Sequence, residues 1–237
     1  MGVIKDKGLV LRETAANESN KRLILLTEQN GKLPAFARGA LGAKSKLVVG
    51  KFSYNEFIIF DGGQFLSLNQ VAEIRHFAGI TACYESYCAA SFMLELADKM
   101  VFANMDAKIA VKLILLAFAR LNKSRNPKAI LAAFIFKFLQ KEGFAPLTQS
   151  CANCAAENPE FFGNEGLNCA NCRQNDAICL NLAAVQALDY ILTAEPAKTF
   201  NFKASTDVID ILHRCAILFL CANVDIELKS LDFILKL

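Results

Sequence analysis

Four cysteines set the firmest constraint on this chain. Cys151 and Cys154 form one Cys-x2-Cys pair, and Cys169 and Cys172 form a second. Each pair reads Cys-Ala-Asn-Cys, and fourteen residues separate them. A two-residue gap turns both sulfurs toward one ion while backbone amides donate to them, and two such knuckles complete a tetrahedral thiolate shell. The intervening Asn158-Pro159, Gly163 and Gly166 let the loop double back. Four thiolates leave no open position, so the expectation is one structural zinc ion and not a Lewis acid. Two disulfides or four idle thiols are the alternative, disfavoured by the paired spacing and by a reducing cytosol. Cys83, Cys88, Cys179, Cys215 and Cys221 lie on helix patterns and read as small core residues.

The cytosolic expectation comes from the rest of the chain. The N-terminus, Met1 to Lys7, has no apolar stretch of signal-peptide length. The most apolar runs, Leu113 to Ala119 and Ala129 to Phe136, fall far short of the roughly 20 residues that span a bilayer. With 54% hydrophobic and 21% charged residues, the 237-residue chain can bury a substantial core. The net charge of +3 is unevenly spread. Residues 1 to 60 hold ten basic and five acidic side chains, and the stretch between Glu28 and Glu56 holds five basic residues and no acid. A polyanion would meet this chain at its N-terminal end.

The first eighty residues read as strands: Gly8 to Leu11, Leu23 to Thr27, Leu33 to Ala37, Phe57 to Phe60 and Phe65 to Leu68. Asn30-Gly31 signals a type I′ hairpin, with positive φ at both central positions. Pro34 marks an edge or a bulge in the third strand. Five short strands with one long basic loop fit a small closed barrel. Near Thr81 the apolar period changes from two to about 3.6. Tyr84, Cys88, Phe92, Leu96 and Met100 share a helical face. A second helix, capped by Asp106, runs through Leu121, and a third starts at Asn126-Pro127 and stops at Gly143. Leu180 to Leu192 and Thr206 to Cys221 give two more. The predicted class is α+β: a barrel domain over residues 1–79, then a helical domain over 80–237 with the zinc-binding module at about 148–176.

Catalysis is not expected. Zinc deaminases need a His-x-Glu pair, but His76 is followed by Phe77-Ala78 and His213 by Arg214-Cys215. There is no His-Glu-x-x-His, Gly-x-Gly-x-x-Gly, phosphate-binding Gly-Lys-Ser loop or Gly-x-Ser-x-Gly elbow either. A basic barrel, by contrast, can hold single-stranded nucleic acid, with cations tracking phosphates and rings stacking on bases. Lys21, Arg22, Lys32, Arg38, Lys44, Lys46 and Lys51 are the candidate phosphate contacts. Phe36, Phe52 and Tyr54 are candidate platforms, each weighed against an ordinary place in the barrel interior. The absence of a sequence-reading motif points to sequence-independent binding.

These residues resemble the bacterial recombination mediator family RecO. The resemblance runs through Lys7-Gly8-Leu9-Val10-Leu11-Arg12, Glu18-Ser19-Asn20-Lys21-Arg22-Leu23 and Leu25 to Lys32. It continues in Arg38-Gly39-Ala40, Lys44-Ser45-Lys46-Leu47, the helix Ser91 to Lys99 and the four-cysteine module. The chain departs from the family in having Asn20-Lys21 where an acid is usual. The resemblance implies an N-terminal OB-fold, a helical domain and a zinc-binding segment in a bacterial cytoplasmic, nucleoid-associated protein. It implies binding of single- and double-stranded DNA, annealing of complementary strands and, in DNA repair and recombination, help in loading RecA on coated DNA. The implied partners are RecR and the acidic, apolar C-terminal tail of the single-stranded-DNA-binding protein, SSB. Arg120, Lys123 and Arg125 are candidates for the tail. The competing readings are a zinc-stapled interaction adaptor with incidental nucleic-acid binding, and a metalloenzyme.

Overall fold

The computed structural model describes residues 2–42, 45, 47, 49–123, 126–146, 148 and 150–237. The chain divides into two compact units, Met1–Lys123 with Ser230–Ile234, and Ser124–Lys229 with Leu235–Leu237.

The first unit is built on a closed barrel of strands β1 (Gly2–Ala15), β2 (Lys21–Thr27), β3 (Gly31–Ala37), β4 (Ser53–Asp61) and β5 (Leu66–His76), in the order β1-β2-β3-β5-β4. This is the five-stranded OB-fold arrangement expected. Its core is the alternating inward set, including Leu23, Leu25, Leu33, Phe57, Ile59 and Leu68. Strand β1 closes the barrel by changing partners along its length: Gly2 to Gly8 pair with β4, and Gly8 to Ala15 with β2. Gly8 belongs to both pairings, and a Cβ there would lie 1.9 Å from the Leu26 carbonyl oxygen. The strand has to lack a side chain at the point where it is shared.

Two strands are longer than their apolar runs. β1 has 14 residues and β5 has 11. From Asn69 onward β5 is largely exposed and shows no apolar alternation. Its pairing with β4, interrupted by register shifts at Tyr54/Asn55 and Ile58/Ile59, defines it instead. The β2–β3 hairpin also differs from a type I′ turn. Of Asn30 and Gly31, only Gly31 has positive φ, at 65°, and the last pair is Thr27 with Gly31. That leaves a three-residue loop closed by a left-handed glycine. Buried Asp6 organises it: one carboxylate oxygen accepts from the amides of Gln29 and Asn30 and from the Asn30 side chain, at 3.0, 3.2 and 2.8 Å.

Helices α1 (Tyr84–Met100) and α2 (Lys108–Leu121) complete this unit. Cys88, Phe92, Leu96 and Met100 are buried, whereas Tyr84, expected on the same face, is exposed. Asp106 accepts from the Lys108 amide at 2.9 Å. The segment between the helices docks on the hairpin through Lys32 N to Phe102 O (3.0 Å), Asn104 N to Asn30 O (2.9 Å) and Ala107 N to Glu28 O (2.8 Å). A Cβ on Gly31 would approach the Phe102 oxygen to 2.3 Å. Gly31→Ala therefore combines left-handed strain with a backbone clash, and should cost about 3 kcal/mol in a denaturant titration. One element had no sequence signal: the short helix at Leu231–Ile234, preceded by Ser230, whose amide donates to Glu95 at 2.9 Å.

The second unit contains α3 (Pro127–Lys141), α4 (Leu182–Thr193), α5 (Thr206–Asn223) and a small sheet of β6 (Phe161–Gly163), β7 (Gly166–Asn168) and β8 (Ile178–Cys179). Asn126 and Asn181 cap α3 and α4 by accepting from Ala129 and Ala184. Helix α3 is buried almost throughout. Its Lys137 donates to the Leu192 carbonyl at 2.7 Å and to Gln140 at 3.0 Å, closing the last turn of α4. Of the five cysteines read as core residues, Cys88 and Cys215 are buried. Cys83 precedes α1, and Cys179 and Cys221 are exposed, so apolar helix patterns misplaced three of them.

His213 on α5 is 5% exposed, and among the described residues its Nε2 finds no hydrogen-bond partner. Burial, reinforced by Lys128, lowers its pKa to about 4. The native state holds it neutral, while an unfolded chain takes up a proton below about 6.5. Its contribution to stability is complete above that value and is lost as pH falls toward 4, with a slope of up to about 1.4 kcal/mol per pH unit. His213→Leu should flatten this limb when denaturation midpoints are compared at pH 7.5 and 5.

Candidate nucleic-acid groove and four-cysteine centre

Strand β3, read from Pro34 as an edge or a bulge, lies inside the closed barrel between β2 and β5, and Pro34 borders a groove there. Pro34 sits opposite Ile24 and is exposed, and β3 meets β5 only at Phe36 opposite Ser67. Where the two strands diverge, a cavity of about 590 Å³ opens, lined by Arg22, Ile24, Pro34, Phe36, Arg38 and Phe65, among others. Arg22 is the cross-strand partner of Phe36, and Phe36 of Ser67, so a cation and an aromatic ring lie in one row across three strands. Phe65 is 74% exposed at the exit of the β4–β5 turn. That turn is held by Gly62 N to Phe65 O (3.2 Å) and Gly63 N to Asp61 Oδ1 (2.8 Å). On the opposite side, Asn20 accepts from the Gly39 amide at 2.8 Å, fixing the backbone beside Arg38. Among the described residues neither Arg22 nor Arg38 has a carboxylate partner, and both are exposed. Two cations and two rings around an open slot form a surface on which bases can stack while phosphates are neutralised.

The other candidates are dispersed. Lys21 is paired with Glu13 at 3.0 Å. Lys32 is drawn to Asp98, donating to its carbonyl and lying 3.6 Å from its carboxylate. Lys51 lies over the Tyr87 ring, 4.5 Å from its centroid, and donates to its hydroxyl at 2.8 Å. Lys44 and Lys46 lie outside the described residues, as does Arg125. Arg120 and Lys123 are exposed at and just past the end of α2. Of the proposed platforms, Phe36 borders the groove. Phe52 does not: it is 1% exposed and edge-on to Tyr87 and Phe118, a core residue with φ of 60°. Tyr54 is half-buried and donates to Glu28 at 2.6 Å, and burial together with that carboxylate raises its pKa. The residue missed was Phe65, read only as the first residue of the fifth strand, which begins at Leu66. The Asp61-Gly62-Gly63 turn just before it was the available signal.

The four cysteines come together as their spacing requires. Their sulfurs all lie within 4.8 Å of one another, and those of Cys154 and Cys169 are 3.7 Å apart. That separation is far beyond the roughly 2.0 Å of a disulfide. It matches the edge of about 3.8 Å expected for a tetrahedron of sulfurs about 2.3 Å from one metal. Backbone amides of Cys169, Asn153 and Cys154 donate toward Cys151 and lower its pKa to about 6, whereas the neighbouring sulfurs raise those of Cys154 and Cys172, so Cys151 is the first to offer the thiolate that a metal needs. Cys151 N to Ala156 O (2.9 Å), Ala152 N to Leu167 O (2.7 Å) and Cys172 N to Cys169 O (3.1 Å) form the knuckles. The donor set therefore fits a metal ion.

A five-stranded OB-fold with a cation–aromatic groove, in one chain with a helical unit bearing a four-thiolate ribbon, defines the class. The sequence matches the model of the recombination protein O N-terminal domain over residues 1–77, and that of its C-terminal domain over residues 83–232. The chain belongs to the RecO family, as its motifs suggested. It is 28% identical to the DNA repair protein RecO of Acetivibrio thermocellus over 99% of this chain and 97% of that one. It is 25% identical to that of Caldicellulosiruptor saccharolyticus over 98% of each. With that of Bifidobacterium animalis subsp. lactis it shares 30% identity over 75% of this chain and 77% of that one. Among the described residues no helix is long and apolar enough to cross a membrane.

Proposed function

We propose that this chain is a non-enzymatic DNA-repair and recombination mediator whose OB-fold groove takes single-stranded DNA without regard to sequence. The observation that carries the reading is the row formed by Arg22, Phe36 and Ser67, flanked by Arg38 and Phe65. Phenylalanine faces accept any base, and guanidinium groups bind phosphate in two-pronged fashion, so the groove selects chemistry common to all sequences. Neutralising phosphates also lowers the repulsion between two strands, the physical requirement for annealing complementary ones. Duplex DNA would be held by its backbone alone. In this reading the four thiolates hold one zinc ion that staples the ribbon, and RecR and the SSB C-terminal tail are the partners through which the protein helps load RecA. Localisation would follow the DNA, in a bacterial nucleoid.

Fluorescence anisotropy of a labelled oligothymidylate over a series of salt concentrations tests the reading. Affinity should fall log-linearly, by about 0.7 in log K per log salt for each phosphate neutralised. Affinity that ignores salt would refute a groove built on arginines.

A further inference from the structure

The row that runs through the barrel groove does not stop at Ser67. Phe36 pairs with Ser67, Ser67 with Phe60, and Phe60 with Val3. Residues directly opposite one another in a sheet project from the same face. Arg22, Phe36, Ser67, Phe60 and Val3 therefore form one line around the outside of the barrel, from β2 through β3, β5 and β4 to β1. The alternation agrees, because their neighbours Leu23, Ala35, Leu68 and Ile59 are buried in the barrel core. Phe60 is 40% exposed and Val3 67%. The Phe60 ring reaches toward the β4–β5 turn. A Cβ built on Gly62 would lie 3.7 Å from Phe60 Cε1 and 3.5 Å from the Phe65 oxygen. Phe60 thus borders the same turn that presents Phe65. The row contains no acid, and a serine stands between its two rings, so no bulky side chain blocks the crossing from Phe36 to Phe60. Asp61, next to Phe60, is engaged by the Gly63 amide at 2.8 Å.

We infer that a single strand leaving the slot continues across β5 onto Phe60, so that it crosses the barrel transverse to the β-strands with Phe60 as a further stacking platform. The inference rests on the reading of the groove as a single-strand site, and adds to it a direction and a residue. Adjacent strands lie about 4.8 Å apart, so the two strand spacings between Phe36 and Phe60 amount to roughly 10 Å. That distance holds about three nucleotides at the ~3.4 Å spacing of stacked bases. The chemistry changes along the row. Arg22 and Arg38 stand at the slot, whereas beyond Ser67 the row is uncharged. Lys5, two positions from Val3 on β1, is paired with Glu56 at 3.4 Å. The slot therefore neutralises phosphates, while the Phe60 end offers a face to a base and adds nothing to the salt dependence.

The chain contains no tryptophan, so a single one introduced into the full chain reports on its own position. Phe60→Trp, Phe65→Trp and Tyr84→Trp are each titrated with an oligothymidylate of about twelve nucleotides, inside the range that one OB-fold holds. Stacking on a base quenches indole fluorescence. Phe60→Trp and Phe65→Trp should both be quenched, with the same midpoint, whereas Tyr84→Trp, exposed on α1 and off the row, should not. Phe60→Leu keeps the apolar packing and removes the ring. It should weaken the oligothymidylate about tenfold with an unchanged salt slope and melting temperature. Quenching of Phe65→Trp without quenching of Phe60→Trp would end the strand at the slot and overturn this inference alone. Quenching of neither would overturn the groove reading with it. Equal quenching of Tyr84→Trp, or full affinity in Phe60→Leu, would also overturn the path across the row.

Discussion

Cys151→Ser is expected to release the bound metal and lower the stability of the second unit by on the order of 5 kcal/mol, with DNA binding by the barrel retained. The size of the effect follows from where the order comes from. The segment from Cys151 to Cys172 has only short strands and the knuckle hydrogen bonds, and it buries few large side chains. Metal–thiolate bonds supply most of what holds such a ribbon, and in small metal-folded domains that free energy exceeds 10 kcal/mol, roughly. The loss should be partial here because Phe162 on β6 is buried against the rings of Phe136 and Phe219, at 6.0 and 6.2 Å. The knuckles should fray while β6 stays anchored to α3 and α5. Metal analysis should give one zinc per parent chain and none in the variant, and proteolysis should cut first between residues 151 and 172. Normal melting with lost DNA binding would mean that the centre serves the DNA contact and not the fold.

The second large effect belongs to the groove. Arg22→Glu with Arg38→Glu should lower affinity for oligothymidylate about a hundredfold at moderate salt. Each substitution removes a phosphate partner and adds a like charge beside the backbone. Phe65→Ala should cost about ten- to a hundredfold, the worth of one stacked base. All three side chains are exposed, so melting should be unaffected. The charge variant should also show a shallower salt dependence, whereas Phe65→Ala should leave the slope intact. That contrast separates neutralisation from stacking, which a simple loss of affinity would not.

The four-cysteine centre was legible because its spacing is itself the geometry: two-residue gaps build knuckles wherever the loop between them can return. Helix starts with a local device were legible too, such as Asn126-Pro127, since a cap acts within one turn. The barrel was visible through its apolar alternation, but its limits were not. The exposed half of β5 carries no pattern and is defined by β4 alone. The hairpin at Asn30-Gly31 was signalled, yet its type was decided by Asp6, more than twenty residues away. Charge pointed to the N-terminal end of the chain without separating its cations from one another. Lys21 and Lys32 are equally basic in the sequence, but Glu13 and Asp98 occupy them. Arg22 and Arg38 stand beside an open slot because β3 and β5 pair at Phe36 and Ser67 and diverge beyond that point. Phe52 and Phe65 are equally apolar, and the Asp61-Gly62-Gly63 turn before Phe65 is the one local signal that sets it apart; tertiary packing buries Phe52 and leaves Phe65 exposed.

The slot between β3 and β5 is the place proposed for single-stranded DNA. Photo-crosslinking of an oligonucleotide bearing 5-iodouracil, with the attached peptides identified by mass spectrometry, addresses it directly because the probe reacts with the ring on which it stacks. Crosslinks to Phe36 and Phe65 are expected, suppressed by high salt and abolished at position 65 in Phe65→Ala. Crosslinks confined to residues 126–229, or found on the barrel at neither phenylalanine, would contradict this placement.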